Sequence, residues 1–482
     1  MAMPNVHIPL VVNGRRIDNL PRQRDITVER GSLRTPCLDE ESVTDILSHQ
    51  LDAVAKLPLH EIISFLYNVG QNWKAADYPR RRLYIRDCVK WLGCSERVAE
   101  LDANWLAMTL CSQAAIYDIV RAELGSHHIL DMWIPQEECE VKAFPRGRSF
   151  HSLSGNIPLA GVASILRALV TKNQVIVKSS SSDPFTPLAL ALSFQDIDAS
   201  HPVARSVSVV SWQAGQENEI EQRLILGADV ICAWGGQSAM EWAAKYSTNT
   251  REVIFFGPKR SISIIDCAGT AYEAASRAVA HDVSFHDQQA CHSVQSVFVL
   301  NDTSGRFSEH LSKALDLYAR LLPPPARTLD EKANSTLLRL DALLSRNKSW
   351  ISPNGSWLVI ESEPSTSIQN PLNRTVFVHP ISELEDISPH LDSEIQTVAL
   401  LPWELSYTLR DSLAAAGVSR VVEAGMTNIF RPGTAHDSIY PLQRLVRFVS
   451  CEFPHDYRFK STNVKVDQTL FLEENKFLEF VP

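Results

Sequence analysis

The chain has 482 residues, 45% of them hydrophobic and 21% charged, and a formal net charge of −10. That length exceeds one small core and asks for two or three domains of ~100–200 residues each. The composition is that of a globular protein and excludes a mainly disordered chain, a collagen and a disulfide mini-protein. An acidic chain without a basic tract has no electrostatic footprint for nucleic acid or an anionic bilayer.

Nine scattered cysteines include no Cys-x-x-Cys pair. Neither a zinc ribbon nor a dithiol redox site is spelled out, and free thiols fit a reducing compartment. The start carries no secretory pattern, and no run of ~18 apolar residues is present, so the expectation is a cytoplasmic protein without a membrane span.

In chain order, Asn13-Gly14 between short apolar segments predicts a hairpin. Residues 39–124 read as helical: Leu59, Ile62, Ile63, Leu66, Val69 and Trp73 fall on one stripe, and Leu101, Trp105 and Met108 on another. From Val141 the rhythm changes. Strands are expected at 149–153, 175–177, 207–210, 230–233 and 253–256, separated by helices at 159–170, 187–192, 220–226 and 239–244. Such alternation implies right-handed crossovers and a parallel sheet covered on both faces, with ligands at the carboxyl ends of the strands. A second alternating stretch begins at 261–265 and continues through a helix at 271–280 and strands at 297–300 and 421–422. Within it Leu322-Pro323-Pro324-Pro325 and the Ser/Asn/Pro-rich residues 347–373 read as surface loops. The fold class is therefore α/β: two α/β domains after a helical lead-in.

No Gly-x-Gly-x-x-Gly or Walker loop occurs. Three strand-end loops stand in their place: Ser154-Gly155-Asn156-Ile157-Pro158, Lys178 with Ser179, Ser180, Ser181 and Ser182, and Trp234-Gly235-Gly236. The polar segment Asp287-Gln288-Gln289-Ala290-Cys291-His292-Ser293 carries a single cysteine. His281, His286 and Cys291 are spaced by five, which on a helix turns successive side chains ~140° apart, so no metal site is expected. For any one cysteine a buried structural role is the common alternative. A Cys–His pair for thioester or peptide hydrolysis also stays open, because such partners meet in space rather than in sequence.

These residues resemble the aldehyde dehydrogenase superfamily. Gly155-Asn156-Ile157-Pro158 is similar to its oxyanion asparagine loop, Val177-Lys178-Ser179-Ser180 to its cofactor-ribose lysine strand, and Gln288-Gln289-Ala290-Cys291 to its nucleophile loop. More narrowly, Arg80-Arg81-Arg82-Leu83-Tyr84-Ile85-Arg86-Asp87, Ala233-Trp234-Gly235-Gly236, Phe256-Gly257-Pro258-Lys259 and His281-Asp282-Val283 resemble the LuxC family. That family comprises the acyl-CoA reductases of the bacterial bioluminescence fatty acid reductase complex. The resemblance is colinear from the Asn13-Gly14 hairpin to residues 431–449.

It implies an aldehyde dehydrogenase-like fold: a helical lead-in and Rossmann-type cofactor domain over 1–260, a catalytic domain over 261–430, and a C-terminal return over 431–482. Strands within 139–153, with segments at 140–144 and 459–464, would build a small oligomerisation sheet, making the protein a homo-oligomer such as a tetramer. The implied activity is NADPH-dependent reduction of a long-chain, tetradecanoyl-like acyl-CoA or synthetase-borne acyl group to a fatty aldehyde for luciferase. The implied partners are an acyl-protein synthetase and an acyl-transferase.

Cys291 would form the acyl thioester, with Asn156 and the Cys291 amide holding the oxyanion; one such donor is worth ~3–4 kcal/mol. Lys178, Ser179, Ser180, Trp234, Gly235, Gly236, Phe256 and Gly257 would bind the cofactor, and Glu394 its nicotinamide ribose. His281 and His292 would tune the thiol or shuttle a proton. One departure is mechanistically informative. The superfamily's Glu-Leu-Gly-Gly-Lys segment, source of the water-activating base, lines up with Phe255-Phe256-Gly257-Pro258-Lys259. Phe255 cannot deprotonate water and is expected to help exclude it, which favours reduction of an acyl group over its hydrolysis. Two alternatives remain: the same chemistry in a non-luminescent pathway, and a cysteine acyltransferase or thioesterase that uses no nicotinamide.

Overall fold

The computed structural model describes residues 6–49, 51–213, 215, 218–302, 304–364 and 370–453, and beyond them the short strands Val464–Lys465 and Glu479–Phe480. Asn13 and Gly14 form the expected hairpin, with φ of 45° and 73°. Both angles are positive, as the tight turn matching strand twist requires. The hairpin joins Leu10–Val12 to Arg15–Ile17 and closes one edge of a seven-stranded sheet.

That sheet runs Glu252–Phe256, Val230–Trp234, Arg148–Ser152, Gln174–Ser179, Val207–Ser211, Leu10–Val12, Arg15–Ile17. The first five strands are mutually parallel, and Leu10–Val12 pairs antiparallel with Val207–Ser211. The strands from 174 through 211 are wholly buried, the continuous apolar pattern of a sheet covered on both faces. From Arg148–Ser152 the chain first adds strands on one side, then crosses to add Val230–Trp234 and Glu252–Phe256 on the other. The crevice at that reversal is where open parallel sheets bind ligands.

A second seven-stranded sheet runs Lys348–Ile351, Leu358–Glu361, Thr375–Ile381, Val294–Leu300, Arg260–Asp266, Ile395–Leu401, Arg420–Glu423. Residues 347–373 are thus not merely surface loop. They contain an antiparallel strand pair in which Leu358, Val359 and Ile360 are buried, with buried Trp357 just before it. The turn residues that dominate the composition lie between and after the two strands. A three-stranded antiparallel sheet of Val446–Glu452, Cys139–Pro145 and Ile134–Pro135 contains the expected strand at 140–144. Its outer strand is exposed, with Phe448 47% open to solvent. Most of the segment 459–464 lies outside the described residues. Among the described residues no helix is long and apolar enough to cross a membrane.

The helical layer holds one surprise. Helix Leu59–Lys74 buries its whole expected stripe. In Glu96–Cys111, however, the buried face is Ala99, Ala103, Leu106, Ala107 and Leu110, whereas Leu101 and Trp105 are only partly covered and Met108 is 47% exposed. Close approach decides the orientation. A Cβ on Gly70 would lie 2.6 Å from Cys111 Sγ and 2.9 Å from Leu110 Cβ, so only the alanine face fits against the first helix. The larger side chains turn toward an apolar cavity instead. Gly70→Val is expected to push the two helices apart and lower stability by ~1–3 kcal/mol, read as a drop in thermal midpoint that Cys111→Ala partly restores.

Candidate active site

Helix Tyr272–Ser284 ends just before the nucleophile loop, which feeds strand Val294–Leu300. Between them His286, Asp287 and Gln288 all adopt left-handed backbone, with φ of 52°, 52° and 64°. Left-handed helical conformation costs roughly 1–2 kcal/mol per non-glycine residue, so neighbours must hold the turn. Arg374 Nε donates to Asp287 Oδ1 at 2.8 Å and Arg327 Nη2 to the same oxygen at 3.1 Å. Both arginines are almost fully buried. Gln288 Nε2 donates to the carbonyls of Val294 and Thr375, and the Thr375 amide returns a bond to Gln288 Oε1. The loop is clamped on both sides before the cysteine is reached.

Cys291 is partly exposed. Its sulfur accepts a hydrogen bond from Gln396 Nε2 at 2.9 Å, and its carbonyl accepts one from Ser261 Oγ at 2.7 Å. The same Gln396 nitrogen donates to Asp437 Oδ1 at 2.7 Å. Burial, then the nearby Asp437 charge, push the thiol up to about 12, while the Gln396 bond and the His292 and Cys291 amides oppose the rise.

Asn156 arrives on the loop after Arg148–Ser152. Its Nδ2 donates to the Gln289 carbonyl at 2.7 Å, and its Oδ1 accepts from Ser154 Oγ. The expected asparagine and cysteine loops therefore meet, from segments 133 residues apart. Gly155 makes this approach possible: with φ of +77°, a Cβ there would fall 2.6 Å from Ser180 Cβ and 2.8 Å from the Asp183 amide. That contact also draws in the loop after Lys178 and Ser179.

The residues at the sheet reversal have the chemistry to hold a dinucleotide. Lys178 is buried at the carboxyl end of its strand, and the buried Ser179 Oγ has no hydrogen-bond partner. Gly236 caps helix Gln237–Ala244 without a side chain, and no atom lies within 4 Å of where its Cβ would be. A glycine-opened helix start is suited to a pyrophosphate. Trp234 stacks on Phe256 at 3.8 Å and donates from Nε1 to Ser164 Oγ at 3.0 Å. Gly257 follows Phe256 beside Met240.

Several expected residues take other positions. Phe255, expected to exclude water, leaves 41% of its surface open, whereas Phe256 is buried, because neighbours on a strand face opposite sides. His281 pairs with Tyr318 and Asn428, and burial lowers its pKa. His292 is buried with Nε2 unpartnered. Burial, then His286 and Arg420, hold it well below the ordinary histidine range, so it sits neutral, and its backbone amide rather than its ring reaches the sulfur. Glu394 is 77% exposed at its side chain and ion-paired to Arg260 at 3.1 Å. Two residues on, Gln396 meets the thiol.

Gln396, Asp437, Phe430 and His436 had no sequence signal. The His436 ring faces Phe256 at 5.2 Å and stacks on Phe430 at 5.4 Å, and Arg420 covers Phe430 at 4.1 Å. Away from this wall, an apolar cavity of about 490 Å³ is lined by Leu101, Trp105, Met108, Phe285, Met426 and Ile429 among others. Leu101 and Phe285 also line a second cavity of about 180 Å³ that reaches Asn156 and His286.

This architecture is that of the aldehyde dehydrogenases. Lactaldehyde dehydrogenase from Escherichia coli superposes with a TM-score of 0.70 over 93% of this chain and 99% of its own, at 13% identity. Aldehyde dehydrogenase 21 from Physcomitrella patens, solved with succinate, gives 0.72 over 95% and 100%, also at 13% identity. Residues 54–448 match the family described as acyl-CoA reductase (LuxC), and the chain belongs to that family. It is 45% identical over 477 residues to a long-chain acyl-protein thioester reductase of Vibrio harveyi, covering 99% of both chains. The protein of that name from Aliivibrio fischeri is 46% identical over 481 residues, covering 99% of this chain and 100% of its own.

The clamp under the nucleophile loop is expected to be costly to break. Asp287→Ala leaves two buried guanidinium groups without their carboxylate, and stability should fall by ~3–5 kcal/mol in a denaturant titration, with proteolytic nicking appearing near residues 286–290.

Proposed function

We propose that this chain reduces a long-chain fatty acyl thioester to the fatty aldehyde through an acyl-Cys291 intermediate, with NADPH as reductant. The observation that carries the reading is the meeting of the Cys291 and Asn156 loops beside a crevice suited to a dinucleotide. The names of the Vibrio harveyi and Aliivibrio fischeri relatives support an acyl group delivered on a protein, and the family description supports acyl-CoA.

The Cys291 sulfur attacks the thioester carbonyl. The Asn156 amide and the Cys291 backbone N–H stabilise the oxyanion, and the donor's thiol departs. When bound, the reduced nicotinamide supplies a hydride for the acyl carbon. Asn156 then holds the second oxyanion until the carbon–sulfur bond breaks and aldehyde leaves. Position 255 carries no carboxylate to activate water, and Trp234, Phe256, Phe430 and His436 form an aromatic wall. Both features favour survival of the thioester. Lys178 and the serines after it suit the 2′-phosphate of NADPH.

The fatty chain lies in the apolar cavity under Leu101, Trp105 and Met108, entering past Phe285. The exposed strand Val446–Glu452 serves self-association, as a homo-oligomer, in the cytoplasm. The aldehyde feeds a luciferase, and an acyl-protein synthetase and acyl-transferase work alongside.

Tetradecanoyl-CoA should drive NADPH oxidation by the wild-type protein and aldehyde formation in equal amount. Cys291→Ala should neither take up labelled acyl group nor consume NADPH, and Asn156→Ala should lower kcat by ~10²–10³. Thioesterase activity without NADPH consumption would overturn the reading. Filling the cavity with Met108→Trp or Met426→Trp should depress kcat/KM for tetradecanoyl-CoA more than for octanoyl-CoA. The expected loss is about fourfold for each methylene excluded, since a buried methylene is worth ~0.8 kcal/mol.

A further inference from the structure

In the motif His281-Asp282-Val283 the histidine meets Tyr318 and Asn428, while the aspartate is fully buried in helix Tyr272–Ser284. Both of its oxygens are taken by one stretch of backbone. Asp282 Oδ2 accepts from the Gly425 amide at 2.7 Å, and Oδ1 from the Thr427 amide at 3.2 Å. The carbonyls of the same stretch belong to Arg420, which is buried at the start of strand Arg420–Glu423. Arg420 Nη1 donates to the Thr427 carbonyl at 2.6 Å; Nη2 donates to the Met426 carbonyl at 3.3 Å and to that of Ile429. The loop therefore lies between a buried acid that takes its amides and a buried guanidinium that takes its carbonyls. It opens on Gly425 at φ of 89°, a conformation that favours glycine.

This bonding decides which way the side chains face. Thr427 is wholly buried. Met426, Asn428 and Ile429 instead line the apolar cavity of about 490 Å³, together with Leu101, Trp105 and Met108 of helix Glu96–Cys111. Met426 leaves 43% of its surface open, so without the two buried anchors nothing would hold it in one place. Phe430, the next residue after the loop's cavity-lining part, is covered by Arg420 and stacks on His436.

We propose that Asp282 is a positioning residue: with Arg420 it fixes the 425–430 loop so that Met426 and Ile429 form a rigid wall for the outer methylenes of a long acyl chain, and this wall sets the preference for long chains over short ones. The inference rests on the reading of the cavity as the seat of the fatty chain. Asp282 acts through the loop and not on the substrate. A wall that had to be ordered on binding would lose part of the gain to entropy, whereas one ordered beforehand keeps it. A carboxylate suits the task because each oxygen accepts from one amide. An asparagine would offer one acceptor and turn N–H groups toward the second amide.

The test compares kcat/KM for tetradecanoyl-CoA and octanoyl-CoA, with NADPH, in full-length wild type, Asp282→Asn and Asp282→Ala. A yielding wall forfeits about fourfold for each outer methylene that loses its contact, so two such methylenes lower the tetradecanoyl-to-octanoyl ratio by about 15-fold. The loss should appear in KM with kcat nearly unchanged, because binding shared by ground and transition state is what disappears. Asp282→Asn, which keeps one acceptor, should fall between wild type and Asp282→Ala. A ratio that stays at the wild-type value, whether both substrates suffer equally or neither suffers, overturns the positioning role.

Hydrogen exchange supplies a readout that needs no change at Asp282. In Cys291→Ala, which cannot be acylated at that position, tetradecanoyl-CoA at ten times its Kd should slow exchange about tenfold in peptides covering 425–430 and 101–108. Octanoyl-CoA should slow it less in both. Protection of 101–108 alone overturns the loop as a wall, even where an Asp282 variant fails to fold. Protection of neither peptide overturns the cavity reading itself. Protection of both with an unaltered chain-length ratio in Asp282→Ala leaves the cavity standing and removes Asp282 from its role.

Discussion

The candidate site depends on a buried ionic cluster beneath the nucleophile loop. Asp287 stands between Arg374 and Arg327, and no hydrophobic substitute would provide the same constraint. The backbone at 286–288 follows a left-handed path that an isolated peptide would abandon. Two guanidinium groups at fixed positions define where the carboxylate must be, and so where the chain must turn. Arg374 also binds the Leu322 carbonyl at 2.7 Å, which ties the proline-rich loop to the same anchor. Position, rather than stability alone, is what such a cluster supplies. The cysteine, four residues farther on, inherits that position.

Two sheets approach the thiol from different sides and contribute different chemistry. The first brings Asn156, Lys178 and the glycine-opened helix start at its carboxyl edge. The second brings Cys291 from the loop before Val294–Leu300 and Gln396 from Ile395–Leu401, two strands that flank Arg260–Asp266. The loop around Asp437, between the second sheet and the antiparallel one, adds a carboxylate. The polar groups converge where burial is deep enough to perturb them: the thiol and Asp437 are both raised, and the nearby histidines are both depressed.

Much of this was legible in the sequence where local signals matched long-range packing. Buried parallel strands such as Val175-Ile176-Val177 read as continuous apolar runs, and Asn13-Gly14 named its own turn. The motif around Cys291 was visible because several polar residues of one loop lie together in the chain. Other features depended on distance. Leu101, Trp105 and Met108 looked like core because helical periodicity measures hydrophobicity, not which face can approach a neighbour; the alanines and Gly70 settled that. Gln396 is 105 residues from the sulfur it contacts, and Asp437 another 41 beyond. An amide in a strand and a carboxylate in a strained turn carry no mark of their target. Phe255 and Phe256 could not be told apart until the pleat of their strand was known.

The amino-terminal hairpin has a further consequence for how the molecule is made. Val11 pairs with Val209, and the Asn13 amide binds Ser208 Oγ across 195 residues. The hairpin residues must therefore wait for Val207–Ser211, the third parallel strand in chain order, before they find their place. Until then the hairpin's apolar face stands open. Completion of the first sheet waits until Glu252–Phe256 has been made, and sluggish chain elongation would lengthen the interval in which nascent copies can pair with one another.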